Sequence, residues 1–291
     1  MCALGLDDEL EAVTDGCDFP STVRAKPVVS RSRLSVGDEA SAADVDGAVR
    51  EAVQDGEPLY ALDADLMQRI QPDLILTQDL CRVCAVPTGQ VQDALEVLGC
   101  HADVLSLDPH TVEDVLADIV RVGEHTGHGD EAHGVVDDLR RRIAGVEETA
   151  AGVAPVGTFP LEWLDPPFSG GHWVPDLVER AGGSPVLCTP GEHSVPLRWP
   201  DVAAAAPDVV VFMPCGYDLA EATAEAAGLA GVPELRATPA WRDGRVWVTD
   251  ATSYFSRPGP RVVDGLELLA RVMHPQAFPE PPPGRVARVQ T

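Results

Sequence analysis

Two stretches of this chain are nearly the same phrase: QPDLILTQDLC over 71–81 and APDVVVFMPCG over 206–216. In each, Pro-Asp precedes a short run of aliphatic and β-branched residues, and a Cys-bearing loop closes the run. Such a run bounded by turn residues is strand-like, and in an open parallel sheet the loops after strand carboxyl ends line the ligand crevice. The repetition therefore predicts two α/β lobes, each delivering a loop to its own rim, with a ligand gripped between the two rims. A length of 291 residues is enough for two such lobes.

The rest of the chain follows the same grammar. Apolar runs of strand length alternate with amphipathic segments of helix length, the pattern of parallel sheets with crossover helices. A first series predicts strands at 27–29, 59–62, 73–77 and 103–107, with helices between them, for instance at 88–98. A second series predicts strands at 156–161, 185–187, 208–213 and 245–249, and a last helix at 261–273. Between the two series some forty residues have helical periodicity and no strand candidate. There Thr111 and Asp130 are placed to cap helices, while Gly127 and Gly129 break the run. The expected organisation is an N-terminal α/β lobe over 1–108, a helical connector over 109–152, a C-terminal α/β lobe over 153–275 and a Pro-rich, disordered tail over 276–291.

Charge narrows the function. Asp and Glu number 47 against 21 Lys and Arg, Lys26 is the one lysine, and the formal charge is −26. A field of that sign repels nucleic acid and anionic membranes, so neither is an expected partner. It suits a protein kept soluble in concentrated salt, where charges are screened within a few ångströms. No apolar run is long enough to span a membrane, and MCALGLDDEL carries acids where a signal peptide needs positive charge. The chain as written reads as cytoplasmic, and its seven cysteines as reduced thiols.

Several segments hold residues with chemistry to offer. Cys81 and Cys84 form a CxxC directly after a strand; the pair fits a tight turn, a ligand contact, or redox or metal chemistry. His125, His128 and His133 share a short acidic segment at a spacing that matches no standard metal pattern, and read as solvated. LEWLDPPFSGGHWVPDL (161–177) reads as a strand ending at Trp163, a turn through Asp165-Pro166-Pro167, and a helix opening near Trp173 after Gly170-Gly171. Tyr254, Phe255 and Arg257 sit on a Pro/Gly-framed loop after the last strand, and MPCGYD adds Cys215, Gly216 and Tyr217. These loops carry aromatic and small residues with few charges, a surface for a wide, flat ligand with polar edges. Trp163 and Trp173 have a second possible role, packing beneath the loop. The motifs of nucleophile elbows, phosphate cradles, dinucleotide sites and zinc hydrolases are absent from the sequence, so binding without catalysis is expected.

At these loops the sequence resembles a known family: the cobalamin-binding, class III substrate-binding proteins of ABC importers, whose two α/β lobes are bridged by a long backbone helix. The resemblance runs over nearly the whole chain through CDFPSTVRAKPVV, PDLILTQDLCRVCAVP, LEWLDPPFSGGHWVPDLVERAGG, PDVVVFMPCGYDL and YFSRPGPRVVDGLELLA. It implies two Rossmann-like lobes with parallel sheets and a corrinoid clamped between them. The contacts it implies are Gln78, Asp79, Cys81 and Cys84 from the first lobe. From the second they are Trp163, Asp165, Phe168, His172, Trp173, Cys215, Gly216, Tyr217, Tyr254, Phe255 and Arg257. His172 is a candidate axial contact to cobalt, or a histidine bonded within its own loop.

By the same resemblance the protein is a monomer with cobalamin as bound ligand, no cofactor of its own, and an ABC importer permease as partner, docked through Asp201. Members of the family begin with a strand before a CALGL-like helix, whereas this chain starts inside that helix; a missed N-terminal extension would make the protein extracytoplasmic and membrane-associated. Alternatives are a haem or iron-chelate receptor of the same fold, and a cytosolic corrinoid-handling protein that uses Cys81 and Cys84.

Overall fold

The structure is a computed structural model and describes residues 1–34, 42–55, 59–78, 89 and 101–290. It divides into two compact units, one formed by Met1–Asp108 with Val120–Ala132 and the other by Pro109–Ile119 with His133–Thr291. The helices Val112–His125 and Gly129–Ala150 therefore each contribute residues to both units. Thr111 caps the first reciprocally: its hydroxyl accepts from Asp114 N, and Asp114 Oδ2 accepts from Thr111 N. Asp130 lies inside the first turn of the second helix rather than at its cap, because that helix already begins at Gly129.

In the first unit, β1 (Val13–Thr14), β2 (Val28–Ser32) and β3 (Tyr60–Leu62) form one sheet, with β1 parallel and β3 antiparallel to β2. The first copy of the repeated phrase is β4 (Leu74–Gln78), parallel to β5 (Asp103–Leu107). Met67, on the short helix Ala64–Ile70, packs against Val29, Tyr60, Leu62, Ile75 and Val104. Before β1, the sequence expected to lie within a helix makes a single 3-10 turn, Cys2–Leu4, closed by Gly5 at φ 74.

The second unit is built on one sheet in the order β11-β10-β9-β6-β7. Here β6 is Val156–Leu164, β7 Pro167–Ser169, β9 Val209–Phe212, β10 Val246–Thr249 and β11 Val286–Arg288. β6, β9 and β10 run parallel, and β8 (Gly183–Pro185) joins β6 in parallel beside its first residues. The edges are antiparallel: β7 folds back on β6, and β11 folds back on β10. β9, the second copy of the repeated phrase, is buried at every residue, as a central strand with covered faces must be. Phe159, Leu161, Leu229 and Leu235 belong to the same buried cluster as Val210 and Phe212 of this strand, each fully buried side chain contributing about 1.5–3 kcal/mol of transfer free energy.

The Pro-rich tail is a correction to the sequence reading. Residues 286–288 form β11, Val289 N donates to Val246 O, and Arg288 stacks 4.8 Å from the Trp247 ring centre. Ala287 and Val289 pack against the core of the second unit, but Val286 and Ala287 are adjacent and break the alternation of a strand, and the prolines at 281–283 precede them, so the signal was obscured. The helix expected at 88–98 lies outside the described residues.

Candidate functional site at the carboxyl ends of the parallel strands

Because β6, β9 and β10 are parallel, their carboxyl ends reach one edge of the second unit's sheet, and the loops that follow meet there. Cys215 N donates to Glu162 O at 3.3 Å, tying the loop after β9 to the end of β6. Thr252 N donates to Tyr217 O at 3.1 Å, and Gly216 N to Ser256 Oγ at 3.4 Å, tying the same loop to the segment after β10. The Trp163 and Tyr217 rings meet edge to face with centres 5.7 Å apart, an arrangement favoured by the ring quadrupoles. Gly216, at φ 86, makes the turn that exposes Cys215 and half-buries Tyr217.

Two polar groups on this rim are buried and bonded to no other described group: Trp163 Nε1 and Thr252 Oγ1. Native structures bond the great majority of buried donors, so an unmet pair at a rim is a point where a ligand or water is expected. Burial raises the Tyr217 phenol above its usual pKa, and the charges of Glu225 and Glu221 add to the effect. Tyr217 is therefore a neutral donor at any physiological pH.

The structure separates the aromatic residues that the sequence grouped. Trp163 and Phe168 stand opposite each other in the β6–β7 ladder and both are half-buried, with Asp165 exposed at the hairpin turn. Trp173, Tyr254 and Phe255 are buried within the unit. Trp173 Nε1 donates to Phe255 O at 3.0 Å. A Cβ at Gly265 would lie 2.6 Å from Tyr254 O and 3.0 Å from the Phe255 ring, so the helix Val262–Met273 packs flat on this pair only because it has a glycine there. Arg261 and Arg285 stack on the Tyr254 ring at 4.8 and 5.2 Å. These three side chains pack beneath the loops, which for Trp173 is the second of the two roles the sequence allowed. Arg257, half-buried, is on the loop that follows.

His172 is a second correction. Residues 163–173 are not one rim loop: the chain turns at Asp165-Pro166, and by Gly170, whose N donates to Pro160 O, it has returned level with the middle of β6. His172 thus lies away from Trp163, and its Nε2 is 3.0 Å from His193 Nδ1. Thr158, Ser169 and Thr249, buried polar residues of the same sheet, have their hydroxyls bonded to neighbouring groups.

In the first unit Gln78 is half-buried at the end of β4. Asp79, Cys81 and Cys84 lie outside the described residues. His125 and His128 bond backbone carbonyls of Arg121 and Thr126. Asp201, in the first turn of the helix Trp199–Ala205, receives two bonds from Arg198 at 2.8 and 2.9 Å, which hold its carboxyl below the usual range. Cys188 was not singled out by the sequence; burial, and then the charges of Glu162 and Glu179, push its thiol up to about 12. No helix among the described residues is long and apolar enough to cross a membrane.

Solved structures share this fold. A periplasmic heme-binding protein from Pseudomonas aeruginosa superposes with a TM-score of 0.73 at 22% identity, over 100% of this chain and 93% of that one. The vitamin B12-binding protein BtuF of Vibrio cholerae gives 0.65 at 18% identity, over 94% of this chain and 91% of that one. A Saccharomonospora viridis structure described as an ABC-type Fe3+-hydroxamate transport system gives 0.65 at 22%, over 94% and 89%. No curated protein matches the chain. The model of the periplasmic binding protein family matches residues 24–252, more than half of the sequence, and the chain belongs to that family.

Proposed function

We propose that the protein is the substrate-binding component of an ABC importer and that its substrate is cobalamin or a related corrinoid. The observation that carries this reading is the rim of the second unit, where Trp163, Tyr217 and Thr252 converge with two buried polar groups unmet. A large ligand with an apolar face and polar edges suits it: the rings offer contact area, while the Trp163 N–H and the Thr252 hydroxyl offer bonds at the margin. Membership of a family of binding proteins supports a non-enzymatic role with no cofactor of its own. It also supports an importer permease as partner, with Asp201 as our candidate docking acid. The family's usual place is outside the cytoplasm, and we adopt it over the cytoplasmic placement that the first ten residues suggested.

A haem is the second reading, and one residue favours it. Arg257 stands on the loop after β10, and a guanidinium there suits a propionate better than it suits the amides of a corrinoid. Parallel titrations of the full chain with cyanocobalamin, hemin and a ferric hydroxamate, followed by tryptophan fluorescence and calorimetry, separate the cases. Saturable binding of one cobalamin per chain, weakened in Trp163→Ala and Tyr217→Ala, is the expected result. Tight hemin binding without a response to cobalamin, lost in Arg257→Ala, would replace it with the second reading.

A further inference from the structure

Three histidines that the rim does not use meet elsewhere in the second unit, and local sequence brings them together. A Cβ on Gly171 would lie 2.2 Å from Ser194 N, so the segment 191–195 rests directly on 169–172 only because residue 171 is glycine. Backbone bonds lock the two together: His172 N donates to Glu192 O at 2.6 Å, Gly191 N to His172 O at 3.0 Å, and Ser169 N to Val195 O at 3.0 Å. His172 is held at φ 52 as a result, a left-handed conformation that few non-glycine residues adopt. From a third segment, His110 reaches the same place and its Nδ1 bonds Gly191 O at 2.9 Å.

The ring centres of His110, His172 and His193 form a nearly regular triangle with sides of 5.4, 5.4 and 4.9 Å. Three imidazoles bound through one nitrogen each to a tetrahedral cation at about 2.0–2.1 Å place their ring centres about 5 Å apart. We propose that His110, His172 and His193 bind one divalent first-row transition cation of the class that prefers imidazole: cobalt, nickel, copper or zinc.

Each ring has a part in this. The bond to Gly191 O fixes Nδ1 of His110 as the protonated nitrogen and leaves Nε2 as the lone-pair nitrogen, the arrangement that ligating histidines adopt through an outer carbonyl. His172 Nε2 and His193 Nδ1 face each other at 3.0 Å with one proton between them, against about 3.3 Å for two nitrogens on a tetrahedral cation. Among the described residues no three His, Cys, Asp or Glu side chains stand, as they are, so that they could hold a metal ion; His172 and His193 are bonded to each other instead. When the cation enters, the proton between the two rings moves through solvent to the far nitrogen of the ring that carried it, and small ring rotations complete the site. Asp114 Oδ2 accepts from the backbone N of His110 at 3.0 Å and helps to fix the segment that carries this ring.

This proposal goes beyond the macrocycle reading and is tested without any macrocycle. The full chain is titrated with cobalt(II) chloride and followed by visible absorption, and with copper(II) by electron paramagnetic resonance for nitrogen coupling. One cobalt per chain with the strong d–d bands of a low-coordinate, nitrogen-rich site is expected. His193→Ala, at an exposed position, and His172→Asn, which keeps a residue tolerant of the left-handed backbone, should each weaken binding about tenfold or more. Circular dichroism checks that both fold. Cys81→Ser/Cys84→Ser and His125→Gln/His128→Gln/His133→Gln should bind as the parent does. Absence of saturable binding at millimolar cobalt, binding that survives both cluster variants, or binding lost in either control variant would overturn the proposal.

Discussion

β4 and β9 are written in almost the same words and live in different surroundings. LILTQ has one buried residue, Thr77, and pairs with β5. VVVF lies between β6 and β10 with all four side chains buried. The phrase sets the strand and the loop after it, but the neighbours on either side set how much each residue contributes. A repeat in sequence is thus a repeat of topology and not of energetics.

Mutations should show that difference directly. Phe212→Ala in β9 removes a fully buried ring and should cost about 3–5 kcal/mol in denaturant unfolding. Ile75→Ala, at a half-buried position of β4, should cost less than half as much. Equal losses would mean that the two strands are equivalent after all.

The same contrast divides the aromatic residues of the second unit. Trp173→Phe leaves Phe255 O without its donor and should cost about 1–3 kcal/mol of stability, with ligand affinity falling only as the loop loosens. Trp163→Phe removes an N–H that bonds no described group. It should leave stability within about 0.5 kcal/mol while weakening the macrocycle, read by calorimetry. If Trp163→Phe unfolded the protein and Trp173→Phe did not, the division between anchors and contact residues would be inverted.

The smallest expected effect concerns the thiols. Cys215 is exposed on the rim, whereas Cys188 has a pKa raised from about 9 to about 12 by burial and two nearby carboxylates. Peptide mapping after brief maleimide treatment at neutral pH should find Cys215 modified and Cys188 spared. Since the folded pKa lies above the unfolded one, Cys188 holds its proton longer in the native state. Its contribution to stability is complete below about pH 9 and is lost as pH rises toward 12. Cys188→Ala should flatten that slope.

Much of the architecture was legible because strand length and β-branching are local. The eight expected strands coincide with or adjoin β2, β3, β4, β5, β6, β8, β9 and β10, and the last helix begins within a residue of its expected start. What escaped was long-range. Asp165-Pro166-Pro167 marks a turn, but whether the chain continues along the rim or folds back as β7 depends on pairing with Leu161 and Leu164, which no local signal encodes. The loops after β9 and β10 begin within a residue of where the sequence ends those strands. Which rings turn inward was decided by Gly265, whose missing side chain lets the last helix cover Tyr254 and Phe255. The histidine cluster was hidden for the same reason: its members are 62 and 21 residues apart in sequence (110 to 172, 172 to 193), and Gly171 alone hinted at the close approach. Cys188 had no motif at all.

The central claim is that the second unit's rim contributes the face and polar margin for one corrinoid. Calorimetric titration of cyanocobalamin into the full chain in molar KCl, set beside Trp163→Ala, tests it most directly. One site per chain, with affinity falling about tenfold or more in the variant, is the predicted result; no heat at tens of micromolar ligand, or a variant that binds as the parent does, would contradict it.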